Sequence, residues 1–213
     1  MAIKLIGLDV DGTLMNSRNQ LTPGTVQALQ AAADRGVHVA LATGRMLSEC
    51  GELLAQLPMI RDALTCTGTQ VIDLQTGETL FRHSLTADEL RRLCRKFDGL
   101  DTMLEIFDDR DGLIHNSAWH LANAERYCSH GLAEAIRRYH GAEENLAQYL
   151  EDFTGPTNKL HMFFGTIAEK QEGFARMAGE PYVYIESCAK ASRPVPLSTF
   201  CGMISRSLAQ LSM

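Results

Sequence analysis

The chain has no long apolar run, no closely spaced cysteine pair and, beyond Arg91-Arg92-Arg95-Lys96 on an expected solvated helix face, no basic run among its 213 residues. No stretch approaches the roughly 18 apolar residues that a membrane-spanning helix needs. The opening segment from Met1 to Asp9 holds an apolar stretch too short for a secretory signal and broken by a carboxylate. A cytoplasmic protein without a membrane partner is therefore expected. Twenty basic residues against twenty-six acidic ones leave a formal charge of −6, which argues against a nucleic-acid partner that needs a basic face. The six cysteines (50, 66, 94, 128, 188, 201) lie far apart. That spacing points to reduced, mostly buried thiols, not to a disulfide framework or zinc site. The seven histidines are scattered too, and His115 and His120, five apart, do not share a helical face as an i, i+4 metal pair does.

What is present is ordinary globular composition, 45% hydrophobic and 22% charged. It disfavours disorder and suffices for one large domain or two small ones. Residues 3–8 read as a strand buried on both faces and ending at Asp9. Thr22 and Pro23 form a helix start, as N-cap and first helical residue. That helix carries Val26, Leu29, Ala32 and Ala33 before Gly36 stops it. A second apolar strand, 37–42, ends at Thr43-Gly44-Arg45, and a helix through Met46, Leu47, Leu53 and Leu54 stops near Pro58. Strand, helix, strand, helix in this order predicts parallel strands joined by right-handed crossovers.

The rhythm then changes. Residues 71–81 read as a β-hairpin with Gly77 in its turn. From Leu85 to about Ile185 the pattern is that of a separate α+β module. Its helices are expected at 88–97, around 118–129, at 143–150 and at 167–178, and its strands at 102–107, 112–115, 159–164 and 182–185. Asp109-Arg110-Asp111-Gly112 reads as a hairpin turn, since a calcium loop needs spaced ligands and a closing Glu. Trp119, Tyr127, Phe163 and Phe164 are expected in the module's core, while Glu105 and His115 on neighbouring strands are candidates for meeting substrate hydroxyls. The expected divisions are 1–84, 85–183 and a tail, 184–213, that returns to the first part. A short amphipathic helix is expected at 199–211, with no strong strand after 186.

The chemistry gathers at Asp9-Val10-Asp11-Gly12-Thr13, directly after the first strand. Ligands of open parallel sheets collect at the carboxyl ends of the strands, so both carboxylates belong to the functional crevice. Two acids separated by one residue suit phosphoryl transfer. One carboxylate can attack phosphorus, and the other can protonate the leaving oxygen and then activate water. Gly12 admits a close backbone approach. Thr43-Gly44-Arg45 ends the second strand in the equivalent place, where a hydroxyl and main-chain N–H groups at a helix start make a phosphate cradle. Arg45 is expected to cap this cleft or to pair with an acid.

Leu8-Asp9-Val10-Asp11-Gly12-Thr13-Leu14 with Leu41-Ala42-Thr43-Gly44-Arg45 resembles the haloacid dehalogenase superfamily, in particular its Cof-type subfamily of sugar-phosphate and small-phosphate phosphatases. The resemblance covers about residues 1–186. It implies a Rossmann-like α/β core with a parallel sheet, incomplete at its C-terminal end, and an inserted α+β cap domain that closes over substrate. It further implies Asp9 as nucleophile and Mg²⁺ ligand, and Asp11 as general acid/base that ligates Mg²⁺ through its main-chain carbonyl. Thr43 and the Gly44 N–H would hold the phosphoryl oxygens, and the substrate would be a small phosphorylated metabolite. Mg²⁺ suits such oxygen ligands and offsets phosphoryl charge.

The resemblance departs in three places. The family's Asn-Gly-Ala segment stands here as Thr67-Gly68-Thr69. The lysine that offsets phosphate charge has one candidate, Lys190, which lacks the family's Ser/Asn-Lys-Gly surroundings. The Gly-Asp-x-x-x-Asp-like metal motif is absent, since residues 153–213 contain no aspartate and only Glu169, Glu172, Glu180 and Glu186. Family members continue further and add strands beside the Asp9 strand. Without them that strand is expected to be an exposed edge open to a second copy, as in a homodimer. Two readings of function stay open: a Mg²⁺-dependent phosphatase acting through an aspartyl-phosphate, and a truncated relative that binds phosphate weakly or is not an enzyme.

Overall fold

The structure, a computed structural model, describes residues 2–16, 18 and 20–180 and the backbone of 183–187 and 201–206. The chain divides into two units, Met1–His83 and Ser84–Met213.

In the first unit the extended backbone of Thr22 places its hydroxyl to accept from the Thr25 N–H (3.2 Å), and Pro23 opens the helix where a missing N–H costs nothing. The elements run β1 (Leu5–Leu8), α1 (Pro23–Asp34), β2 (His38–Ala42), a 3₁₀ turn (Leu47–Cys50) leading into α2 (Gly51–Leu54), β3 (Asp62–Thr65), β4 (Gln70–Asp73) and β5 (Thr79–Arg82). They form one sheet in the order β1-β2-β3-β4-β5. The first three strands are parallel and the last two return antiparallel, as the hairpin pattern anticipates. Val10, Leu29, Val39, Leu41, Leu53, Leu57 and Ala63 make the core.

One expectation is corrected here. β1 is not buried on both faces: it alternates, and Leu5 is 61% exposed. Among the described residues β1 stands at the sheet's edge and pairs with β2 alone. The strand's apolar composition reads the same whether or not a further neighbour covers it.

The second unit contains α3 (Ala87–Arg95), β6 (Thr102–Asp108), β7 (Leu113–Ser117), α4 (Ala118–Ala122), α5 (His130–Tyr139), β8 (His140–Glu143), α6 (Leu146–Asp152), β9 (Thr157–Phe164), α7 (Ile167–Arg176), β10 (Val183–Ser187) and β11 (Cys201–Arg206). Its sheet runs β10-β11-β9-β6-β7-β8, antiparallel except for the β7–β8 pair. Strand alternation sends Ile106, Leu160, Met162 and Phe164 into one core with Leu90, Leu93, Phe97, Phe153 and Met177. Met103 and Phe163 enter another with Leu121, Tyr127, Ala133 and Ile136. Trp119, expected in this core, is exposed instead. Among the described residues no helix is long and apolar enough to cross a membrane.

β3 was not expected in the first unit, and three elements of the second unit differ from the expectation. Of the helix expected at 118–129 only α4 and a 3₁₀ turn (Ala124–Arg126) form, and α5 lies beyond it. β8 is short and polar, and only its pairing with β7 makes it a strand. Residues 201–206 form β11 instead of part of a helix, because β9 has a second edge whose N–H and C=O groups need partners. β10 and β11 therefore extend the second sheet, where a return of 184–213 to the first part was expected.

Glu105 is 2% exposed and stands opposite His161 in the β6–β9 register, its Oε2 2.8 Å from His161 Nδ1 and its Oε1 3.3 Å from His140 Nδ1. Burial acts to raise the Glu105 pKa, but the two imidazoles outweigh it and hold the carboxyl well below the usual carboxylate range. A carboxyl depressed in the folded state adds stability above its unfolded pKa and loses it on acidification. The unfolding free energy should therefore drop as pH falls below about 4, and Glu105→Gln should flatten that dependence in urea unfolding at pH 5 and pH 3. Packing is equally tight at Gly173, where a Cβ would lie 2.6 Å from Phe164 Cε1 and 3.2 Å from Phe97 Cε1. Gly173→Ala should destabilise by about 1–3 kcal/mol in the same assay.

Candidate active site

β1 delivers Asp9 in extended conformation (φ −77°, ψ 153°), and the chain then folds into a wide turn over Val10–Leu14. Leu14 N–H donates to Asp9 O (3.2 Å) and Met15 N–H to Val10 O (3.1 Å). Buried Val10 and Leu14 anchor the turn in the core and leave Asp9, Asp11, Gly12 and Thr13 exposed. Gly12 has φ +79°, a backbone that side chains disfavour. The Asp9 carboxylate has no hydrogen-bond partner among the described residues.

Parallel pairing of Leu8 with Leu41 sets the ends of β1 and β2 side by side. Thr43 follows, buried, with its N–H on Leu64 O (2.9 Å) and its hydroxyl accepting from Arg45 N–H (3.2 Å). β3 supplies the third wall. Beyond it Cys66, Thr67 and Gly68 all take left-handed backbone (φ 50°, 63° and 85°). Cys66 N–H donates to Arg45 O (2.8 Å) and Thr67 N–H to Thr43 O (3.1 Å), which ties this turn to the Thr43–Arg45 turn. Asp9, Ala42, Thr43, Gly44, Leu64, Thr67 and Gly68 line a cavity of about 340 Å³.

The sequence reading named Asp9, Thr43 and Gly44, and the fold brings all three to this cavity. Asp11 lies outside its lining, its carboxylate gripped by Arg45 through Nε–Oδ2 (3.0 Å) and Nη2–Oδ1 (2.6 Å). The hydrogen bond to Asp11 is the main cause raising the Arg45 pKa. With the Asp11 side chain 60% exposed, such a pair adds only about 0.2–1 kcal/mol; its effect is to fix where the carboxylate points. The expected helix-start cradle is not formed by a long helix, since only the 3₁₀ turn and the four-residue α2 follow Arg45. Threonines and turn backbone line the cavity there instead. Thr67 and Gly68 belong to the lining as well; in the sequence their segment, Thr67-Gly68-Thr69, stood out only as a departure from the family's Asn-Gly-Ala. Lys190 lies outside the described residues.

The donors suit a hard, oxygen-ligated cation. Asp9 offers a carboxylate without another partner, and Asp11, its carboxylate held by Arg45, offers its main-chain carbonyl. Among the described residues no third carboxylate or histidine completes a cluster around them. The cluster of Asp108, Asp111 and His115 sits in the second unit. There Asp108 is already satisfied by Arg110 and by the Tyr149 hydroxyl (2.7 Å). His115 lies between Asp111 and Glu143 (2.9 and 2.7 Å), so it and Glu105 have protein partners in the places where substrate hydroxyls were expected.

A family model described as haloacid dehalogenase-like hydrolase matches residues 6–192. The HMP-PP phosphatase of Cronobacter sakazakii is 32% identical over 113 residues, covering 53% of this chain and 41% of the relative. The 5-amino-6-(5-phospho-D-ribitylamino)uracil phosphatase of Bacillus subtilis is 38% identical over 71 residues, 33% of this chain and 28% of the relative. The chain thus spans less than half the length of the curated relatives it matches. Among solved structures, a haloacid dehalogenase-like hydrolase from Bacteroides thetaiotaomicron superposes with a TM-score of 0.76 at 16% identity, covering 97% of this chain and 72% of that one. One from B. subtilis gives 0.74 at 17%, with 96% and 73% covered.

The turn that carries both acids depends on the backbone of Gly12. Gly12→Ala should cost about 1–2 kcal/mol of stability through the left-handed conformation alone, since a Cβ there meets nothing within 4 Å. Urea unfolding of the two proteins checks it.

Proposed function

We propose, on the premise that the chain belongs to the haloacid dehalogenase-like hydrolase family, that it hydrolyses phosphoric monoesters of small metabolites at Asp9. The observation that carries this reading is the cavity beside Asp9. An otherwise unengaged carboxylate there shares its walls with a buried threonine, Thr43, and with two glycines that let an anion come close to the backbone.

The steps follow from the residues. An Asp9 oxygen attacks phosphorus as the bond to the ester oxygen breaks, which leaves an aspartyl-phosphate and an alkoxide-like leaving group. Asp11 in its protonated form, released from the ion pair with Arg45, gives that oxygen a proton and becomes the carboxylate. Water then attacks the acyl-phosphate, Asp11 takes its proton, and inorganic phosphate departs with Asp9 restored. Thr43 and the Gly44 N–H hold the non-bridging oxygens through both displacements. Mg²⁺ held by the Asp9 carboxylate and the Asp11 carbonyl would offset charge on the phosphoryl group when bound.

The curated relatives are named as phosphatases of small organic phosphates, which supports a metabolite as the substrate class. The second reading, a weak phosphate binder, draws on the lack of a third metal-ligating carboxylate among the described residues. Hydrolysis of an aryl phosphate with and without Mg²⁺, by the chain and by Asp9→Asn, separates the two. A metal-dependent rate that Asp9→Asn lowers on the order of a thousandfold or more supports the enzyme. Equal rates in both proteins favour the weak binder.

A further inference from the structure

We propose that Thr67 is a second hydroxyl donor to the anionic oxygens of a phosphoryl group in the Asp9 cavity, an inference that rests on the phosphatase reading of that cavity. Thr67 lines the cavity together with Asp9, Thr43, Gly44 and Gly68. Its hydroxyl stands against the Thr43–Gly44 turn: a Cβ built on Gly44 would lie 3.5 Å from Thr67 Oγ1. Threonines that follow two different strands therefore line one cavity.

The backbone adds an independent reason. Among the described residues Cys66 and Thr67 are the two non-glycine residues with positive φ, and they are adjacent in this turn. A β-branched residue is poorly suited to the left-handed region, which glycine adopts freely and asparagine more readily. Strain of this kind persists where surrounding contacts over-determine it, and it gathers at ligand clamps. The surrounding contacts are present, since Cys66 N–H and Thr67 N–H are tied to Arg45 O and Thr43 O. Those bonds use main-chain atoms that glycine also has. What threonine adds at position 67 is a side chain that lines the cavity beside Gly44.

The test is calorimetric titration of the full chain with inorganic phosphate in the presence of MgCl₂, beside aryl phosphate kinetics and urea unfolding. The variants are Thr67→Val, Thr67→Ala, Thr67→Ser and Thr67→Gly. Loss of one hydrogen bond to a charged ligand predicts a Kd for phosphate about tenfold higher in Thr67→Val and Thr67→Ala, with Thr67→Ser within about twofold of the parent. Thr67→Gly should lose the same affinity while unfolding at a urea concentration at least as high, because it removes the strain together with the hydroxyl. Equal phosphate affinity in the parent, Thr67→Val and Thr67→Ala overturns the inference and leaves the phosphatase reading standing. A parent chain that neither binds phosphate nor hydrolyses the ester in an Asp9-dependent way overturns both.

Discussion

The parallel pairing of β1 with β2 is the constraint on which the site depends. Leu8 opposite Leu41 brings two strand ends level, so Asp9 and Thr43 border one cavity although 33 residues of turn, helix and strand separate them. β3 joins in the same direction and levels a third end, from which Thr67 and Gly68 close the far wall. Three parallel ends bring the functional groups together without a long loop. The hydrogen bonds from Cys66 and Thr67 to Arg45 and Thr43 then lock the second and third turns to each other. A shift of one residue between β1 and β2 would turn these side chains to opposite faces, because side-chain direction alternates along a strand.

Charge divides unequally between the two acids. Arg45 grips Asp11 with a two-pronged hydrogen bond, while Asp9 meets no cation among the described residues. Exposure keeps the Arg45–Asp11 pair too weak to matter much for stability, and its consequence is directional. One carboxylate is held in a set orientation beside the cleft, and the other stays available to a phosphorus atom or a cation. On the proposed reading, the available carboxylate is the nucleophile and the oriented one is the proton-transfer group.

The second unit handles polar groups in the opposite way. Glu105, His140, His161 and Asn116 are drawn from four different strands into mutual contact. The network offsets the cost of burying a carboxylate by surrounding it with partners. Its apolar packing lies on both faces of one sheet, and replacement of a single glycine such as Gly173 is felt by the rings of Phe164 and Phe97.

Much of this was legible in the sequence where local chemistry decides. Apolar strands ending at Asp9 and Thr43, the Thr22–Pro23 helix start and the Gly77 hairpin each follow from a few adjacent residues. The haloacid dehalogenase-like family was recognisable from two such segments, and the family model agrees. Tertiary structure alone decided what rests on distant partners. Among the described residues one face of β1 is left uncovered, so the strand alternates although its apolar residues read as fully buried. Pairing with β9 made residues 201–206 a strand, and pairing with β7 made β8 one. Arg45 reaches Asp11 across 34 positions, and Glu105 reaches His161 across 56. Local pattern records conformational preference within a turn or two; which strand lies beside which is settled by burial and hydrogen-bond satisfaction over the whole sheet.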